Sequence, residues 1–398
     1  MRICYLCADP GISLTGTKGA AAHVRGLVRA FASLGHEVVV IGNQEGDANM
    51  LPVPVVPVPV PEITGLFPID HYRRVGRALR HIWTNTTITE TLMKLWAYQH
   101  HDIVYERYSP FSVAGVLTAK RLGIPHVLEV NAPLAWEGTQ YRQQAATDVA
   151  ETLERVALET TSLVIAVSQE LADLLVTDGV ERSRIMIVPN GVDAALFEPE
   201  GPAYRIAPEN SIVIGFVGGM RPWHGVDILA DAFRVLASDP RFYLIVIGDG
   251  PMATKMERLQ AEFRERIHLT GAIPHKEMPS HLRGIDIAVA PYPQMQGFYF
   301  SPLKVLEYMA TGRAIIASRI GQLGKIIRNK ENGILVPPGD ASALVQAVRM
   351  LADNVYLRDI IGMNAANEVR KSHTWEHRAC HILKRMSSFI KTSQVTVG

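Results

Sequence analysis

The chain has 398 residues, 47% of them hydrophobic, with 40 Lys and Arg against 39 Asp and Glu. That length suits two domains of about 200 residues each, and the near balance of charge excludes a global field drawing the protein to nucleic acid. Cys4, Cys7 and Cys380 make no disulfide framework, and no apolar run reaches the roughly 18 residues that span a bilayer, so a reducing, cytoplasmic location is expected.

The run Met1 to Ala8 is too short for the core of a signal peptide, and Ile3 to Cys7 within it reads as a buried strand. Gly11, Gly16 and Gly19 open a loop, and Val24, Leu27, Val28 and Phe31 then repeat at helical spacing. Gly35 stops that helix, and Val38 to Ile41 form the next strand. Pro52 to Pro61 alternates Pro with Val, which restricts it to an edge strand or a polyproline segment. Beyond it, Arg73, Arg74, Arg77 and Arg80 are interleaved with Val75, Leu79 and Ile82. This is either a surface helix with a solvated basic face or a site for an anionic acceptor or membrane surface.

Further apolar strands are expected at Ile103 to Tyr105, Val127 to Val130, Leu163 to Val167 and Ile185 to Val188. Continuous apolar strands separated by helices imply a parallel sheet covered on both faces. Polar sequence from Glu198 to Asn210 precedes a second series: Ile212 to Val217, Tyr243 to Ile247, Ile285 to Ala290, Ala314 to Ala317 and Ile334 to Val336. The expected organisation is therefore an α/β domain over 1–200, a second over 201–373, and a terminal helical segment over 374–398.

The most informative stretch is Pro291 to Gly312, PYPQMQGFYFSPLKVLEYMATG. A strand ends at Pro291, and a helix is expected near Ser301, with Ser301 as N-cap and Pro302 at the first helical position. The free amides of Leu303 and Lys304 would then face an anion at the carboxyl end of a parallel strand, where open α/β sheets bind ligands. Glu307, about one turn on, would accept from two ribose hydroxyls. Taken alone, the same residues also make an ordinary capped helix.

Several segments resemble the retaining GT-B glycosyltransferases of family 4. They are the loop Gly16 to Arg25, GHEVVV at 35–40, VPNGVD at 188–193 with Phe197, and GFVGGMRPWHGVDILADAF from Gly215. VIGDGP from Val246, the stretch Ser301 to Gly312 and NGILVPPGD from Asn332 complete the set. The resemblance implies two Rossmann-like domains facing across a cleft, the first binding the acceptor and the second a nucleoside-diphosphate sugar. It also implies a terminal helix that crosses back to the first domain. The implied partners are that donor, with UDP-sugar ahead of GDP-mannose, and a carbohydrate or glycoside hydroxyl. No cofactor is implied beyond the nucleotide sugar as co-substrate. A peripheral contact with the inner membrane face is also compatible with the basic helix.

By the same resemblance, Glu307 holds the ribose, while the family's first Glu, a sugar-hydroxyl ligand, falls on Tyr299. The family's diphosphate-binding Arg and Lys fall near Gly219 and on His224, with Arg221 two positions away. Its His after a first-domain strand falls on Asn131, flanked by Glu129 and Glu137 as cleft residues. Gly16 and Gly19 are expected to bind the donor, leaving a side-chain-free loop for close approach of its diphosphate. Alternatives stay open: Arg221 and His224 as caps of the helix near Gly225, Asn131 as a turn residue, and Gly16 and Gly19 as plain turn glycines. If His224 replaces a lysine, a bound diphosphate should favour its imidazolium, and activity should fall as pH rises.

The sequence holds no Asp-X-Asp, so fixed cations rather than a metal are expected to offset the leaving group. His373-Thr-Trp-Glu-His377 fits an inverted zinc-protease motif but lacks a distal ligand, and Trp375 should pack instead. His100, His101 and His275 read as surface or turn residues. No G-x-G-x-x-G follows the first strand, which argues against a dinucleotide enzyme. A sugar-nucleotide sensor without activity, or a non-hydrolysing sugar-nucleotide epimerase, would keep the same phosphate site.

Overall fold

A computed structural model describes residues 1–44, 50–59, 70–141 and 143–395, with backbone alone at 70–72 and 391–395. Residues 60 and 61, the end of the proline run, lie outside the described residues. The chain divides into two compact units: Met1–Asn190 with Tyr299–Ser301 and Trp375–Gly398, and Gly191–Phe298 with Pro302–Thr374. The division at Asn190 precedes the polar stretch because Val192 bridges to Thr374 and Phe197 packs against His275, both in the second unit.

The first unit runs β1 (Arg2–Cys7), α1 (Gly19–Ser33), β2 (Glu37–Gly42), β3 (Val55–Pro57), α2 (Asp70–Tyr98), β4 (Ile103–Arg107) and α3 (Ala114–Leu122). It continues with β5 (His126–Val130), α4 (Leu134–Tyr141), α5 (Thr147–Thr160), β6 (Leu163–Ala166), α6 (Gln169–Thr177) and β7 (Ile185–Ile187). The strands form a sheet ordered β3-β2-β1-β4-β5-β6-β7, with every pairing parallel. β4, β5 and β6 are buried at every residue, as helices on both faces require. The proline run supplies only β3, at the sheet edge, where a missing N–H costs no ladder bond. The arginine-bearing stretch lies in α2 with Arg73 and Arg77 exposed. Among the described residues, no helix is long and apolar enough to cross a membrane.

In the second unit, β8 (Ile212–Val217), α7 (Val226–Leu236), β9 (Phe242–Ile247), α8 (Ala253–Glu262) and β10 (Ile267–Gly271) come first. After them follow α9 (Met278–Arg283), β11 (Ile287–Ala290), α10 (Leu303–Ala310), β12 (Ala314–Ser318), α11 (Leu323–Ile326), β13 (Ile334–Val336), α12 (Ala341–Asp353) and α13 (Val355–Ser372). Its sheet is ordered β10-β9-β8-β11-β12-β13. β10 escaped the sequence reading because IHLTG is an edge strand, half-buried along most of its length, with His268 and Thr270 breaking the apolar run. The last helix, α14 (Trp375–Val395), belongs to the first unit, where the Trp375 ring meets His23 of α1 edge-on at 4.8 Å.

Candidate active site

The strand order fixes where a ligand can sit in the second unit. From β8 the chain proceeds outward to β9, and from β11 outward to β12, so the loops leaving these two neighbours diverge at their carboxyl ends. An open parallel sheet binds ligands at that crevice.

The β8 loop approaches it as bare backbone. Gly218 has φ +153°, and a Cβ there would lie 3.2 Å from Lys304 Nζ and 3.3 Å from His224 Nδ1. Gly225, at φ +72°, lets the loop close onto β11, since a Cβ would stand 1.7 Å from the Pro291 carbonyl oxygen. Between these glycines, Pro222–His224 make one 3-10 turn, and the Arg221 amide donates weakly to His224 Nδ1 at 3.5 Å. The Arg221 side chain is exposed.

α10 begins at Leu303, with Pro302 in the cap position and no side-chain cap. Ser301 is therefore not the N-cap: its hydroxyl accepts from the Asn190 amide at 2.9 Å. Asn190 Nδ2 donates to the Ser301 carbonyl at 2.5 Å, so the hydroxyl and carbonyl of Ser301 are both taken up within the first unit. The Leu303 and Lys304 amides keep no acceptor within the helix, as for any first turn. Tyr308 anchors α10 beneath β8, its hydroxyl accepting from the Val217 amide at 2.7 Å.

Lys304 projects from this first turn and is 8% exposed, with Nζ lacking a hydrogen-bond partner. Nζ lies 4.3 Å from the Phe216 ring centroid and 5.1 Å from that of Tyr292. Burial lowers its pKa to about 7. Beside it, burial first, then Lys304 and Arg221, push His224 down to about 3. Burial and two neighbouring basic side chains thus hold the His224 ring neutral.

Glu307 is buried, with Oε1 3.3 Å from His275 Nε2. His275 opens the turn after β10 and packs edge-on to Phe197 at 5.3 Å. It is the turn residue expected, and it neighbours the expected ribose ligand. His101, by contrast, is buried rather than on the surface.

In the first unit, Glu129 centres a buried polar cluster. Its Oε1 lies 2.8 Å from His23 Nε2, accepts from Arg107 Nη1 at 3.0 Å and from Asn131 Nδ2 at 2.6 Å. The Tyr105 hydroxyl donates to Oε2 at 2.5 Å. Burial alone would raise this carboxyl, but His23, Arg107 and Tyr105 together hold it down to about 2. Glu129 is thus spent on anchoring Asn131, His23 and Arg107. Glu137 instead accepts from the Tyr299 hydroxyl at 2.7 Å, which brings a carboxylate next to the position where the resemblance expects one. Gly16 lies in the loop after β1, where Arg25 Nη1 donates to the Leu14 and Gly16 carbonyls at 2.8 Å each. Gly19 is the first residue of α1.

His23, Arg107 and Asn190 were not singled out in the sequence, and His275 was read only as a surface or turn residue. VPNGVD carried the only signal, for Asn190, whose Oδ1 lies 2.8 Å from His23 Nδ1. The HTWEH motif starts α14 through Trp375, and no metal-competent group of three or more His, Cys, Asp or Glu occurs among the described residues.

Two units, each with a parallel sheet between helices, are the architecture of GT-B glycosyltransferase structures. The "Glycosyltransferase Family 4" model matches residues 17–196, and the "Glycosyl transferases group 1" model matches residues 211–354. An uncharacterised glycosyltransferase of Methanocaldococcus jannaschii is 28% identical over 283 residues, covering 69% of this chain and 72% of the relative. Sucrose-phosphate synthase from Thermosynechococcus elongatus superposes with a TM-score of 0.74 at 19% identity, covering 98% of this chain and 99% of that one. Anabaena HepE in complex with UDP and glucose superposes with a TM-score of 0.70 at 19% identity, covering 98% and 100%. The chain belongs to the group 1, family 4 glycosyltransferases and has their GT-B fold.

Proposed function

We propose that this glycosyltransferase moves a hexose, with retention, from a nucleoside-diphosphate sugar to the hydroxyl of a glycan, glycolipid or small glycoside. One observation carries the reading: an anion-ready edge of the second sheet, where bare Gly218 backbone, Lys304, His224 and the start of α10 converge, with Arg221 on the same loop. Departure of a nucleoside diphosphate builds negative charge on its β-phosphate, and fixed donors and cations aimed at that charge supply the largest catalytic term.

Glu307, oriented by His275, accepts from the ribose hydroxyls. Glu137 with Tyr299, and Asn131 held by Glu129, offer polar groups to sugar hydroxyls, while Gly16 and Gly19 leave their loop open to close approach. Ser301 acts by fixing the chain that leads into α10. UDP-sugar is the first donor and GDP-mannose the second; HepE, described with UDP and glucose, supports the order. Retention follows the resemblance, with the departing phosphate oxygen taking the acceptor proton. Work by fixed cations implies independence of metal. The protein acts in the cytoplasm, and exposed Arg73, Arg77, Leu79 and Trp83 on α2 suit a peripheral contact with an anionic membrane face.

Nucleotide release from UDP-glucose, UDP-galactose, UDP-N-acetylglucosamine and GDP-mannose over a glycoside panel tests the proposal, with EDTA throughout. Acceptor-dependent release from one donor, surviving EDTA, is expected. Absence of transfer from every donor overturns the activity. Loss in EDTA restored by manganese overturns metal independence.

A further inference from the structure

Resting on the donor site proposed above, we infer that Lys304 is the cation that meets the donor diphosphate in this chain, standing in for the lysine that the resemblance places at His224. The argument starts from an anomaly. Lys304 Nζ is buried, with no hydrogen-bond partner and no ion pair among the described residues. A buried ammonium without a partner is strongly unfavourable in a folded protein. Selection for stability alone would place a methionine or leucine there. The Phe216 and Tyr292 rings face Nζ and suit a cation, yet they supply no counter-charge.

The position explains the anomaly. Lys304 is the second residue of α10, whose free amides also point to an anion, and its ammonium adjoins Gly218 at the carboxyl end of β8. His224 Nδ1 lies 3.3 Å from the point where a Gly218 Cβ would stand, against 3.2 Å for Lys304 Nζ. One side chain on the β8 loop and one on α10 thus reach the same point. A phosphate at that point is within reach of a cation carried by either element, so the two positions are interchangeable as sources of charge. Here the loop position carries a ring held neutral, and the helix carries the amine.

The titratable groups around Nζ leave it free for a ligand. From the β8 loop come His224 and Arg221, both cationic or neutral; from the β11 loop comes Tyr292. On α10 itself are Glu307, turned to His275, and Tyr308, bonded to the Val217 amide. Burial pushes both tyrosines above their ordinary range. Lys304, lowered by the same cause to about 7, is largely neutral above that pH and should take up a proton when an anion arrives.

The test uses the full chain and UDP, with uridine as the phosphate-free control. Lys304→Met should weaken UDP roughly ten- to a hundred-fold while leaving uridine unchanged. The variant should also melt higher than wild type, because an unpaired buried ammonium is gone. Placing the amine on the loop instead, in Lys304→Met with His224→Lys, should restore most of the lost affinity. Calorimetry of wild type in buffers of different ionisation enthalpy near pH 8 should show proton uptake on binding UDP, absent in Lys304→Met. Wild-type affinity retained by Lys304→Met overturns the inference alone, as does loss without recovery in the double variant. A lower melting point for Lys304→Met makes the lysine structural and also overturns it. If wild type binds neither UDP nor GDP, the donor reading itself falls.

Discussion

At the scale of single residues, Glu129 shows how an acidic side chain can be conspicuous in sequence and yet be structural. Its carboxylate is shared by His23, Arg107, Tyr105 and Asn131, which leaves little capacity for a substrate. Its folded pKa of about 2 lies below the ordinary value of 4.5. A depressed carboxyl contributes stability that is fully present above the unfolded value and is lost as pH falls through the folded one. The melting temperature should therefore drop between about pH 4.5 and 2 in part through this residue. Glu129→Gln should flatten that limb and cost about 3 kcal/mol or more at neutral pH, because Arg107 remains buried without its counter-charge. Urea titrations at pH 7 and pH 3 check both statements. An unchanged midpoint at pH 7 would remove the cluster from the stability of the first unit.

Elements differ in how much of their role the sequence carries. The apolar strands were readable because a parallel sheet covered on both faces demands unbroken runs such as Ile212–Val217, which is buried throughout. β10 was not, because an edge strand tolerates His268 and Thr270. The site divides in the same way. Lys304 and Glu307 were accessible from Pro302 and helical spacing after a strand. His275 and His23 were not, because their partners, Glu307 and Asn190, lie 32 and 167 residues away. Nor did local capping rules foresee that Ser301 would be taken up by Asn190 rather than by α10. The junction of α1 and α14 is a similar long-range fit. Gly26 sits inside α1, and a Cβ there would fall 2.1 Å from Nε1 of the Trp375 indole, at the start of α14. Alanine has the higher helix propensity by about 1 kcal/mol, yet Gly26→Ala should destabilise by about 1–3 kcal/mol, since the buried indole must leave its place. A red shift of Trp emission and faster proteolysis within 375–395 should accompany the loss. A more stable variant with unshifted emission would show that the glycine is not needed for this contact.

For the whole molecule, each unit has its own parallel sheet and its own buried core, and the groups proposed for the nucleotide fall in the second unit. Arg221, His224, His275, Lys304 and Glu307 all lie within Gly191–Phe298 or Pro302–Thr374. A ligand that binds only the folded second unit stabilises it by RT ln(1 + [L]/Kd), about 2.7 kcal/mol at roughly a hundred times Kd. Amides of β8, β9 and β11 that exchange through opening of that unit should then slow by about a hundred-fold with UDP at that concentration. Amides at 218–225 and 303–307 should slow even at early times, because the ligand covers them directly. Core amides of β1, β4 and β5 should slow far less if the first unit opens on its own. Hydrogen exchange with and without UDP, read by mass spectrometry on peptides from both sheets, measures all three. Equal slowing of both sheets would refute independent opening and define a single cooperative unit. Slowing confined to the first sheet, with 218–225 and 303–307 unaffected, would move the nucleotide out of the second unit and with it the roles given to Lys304 and Glu307.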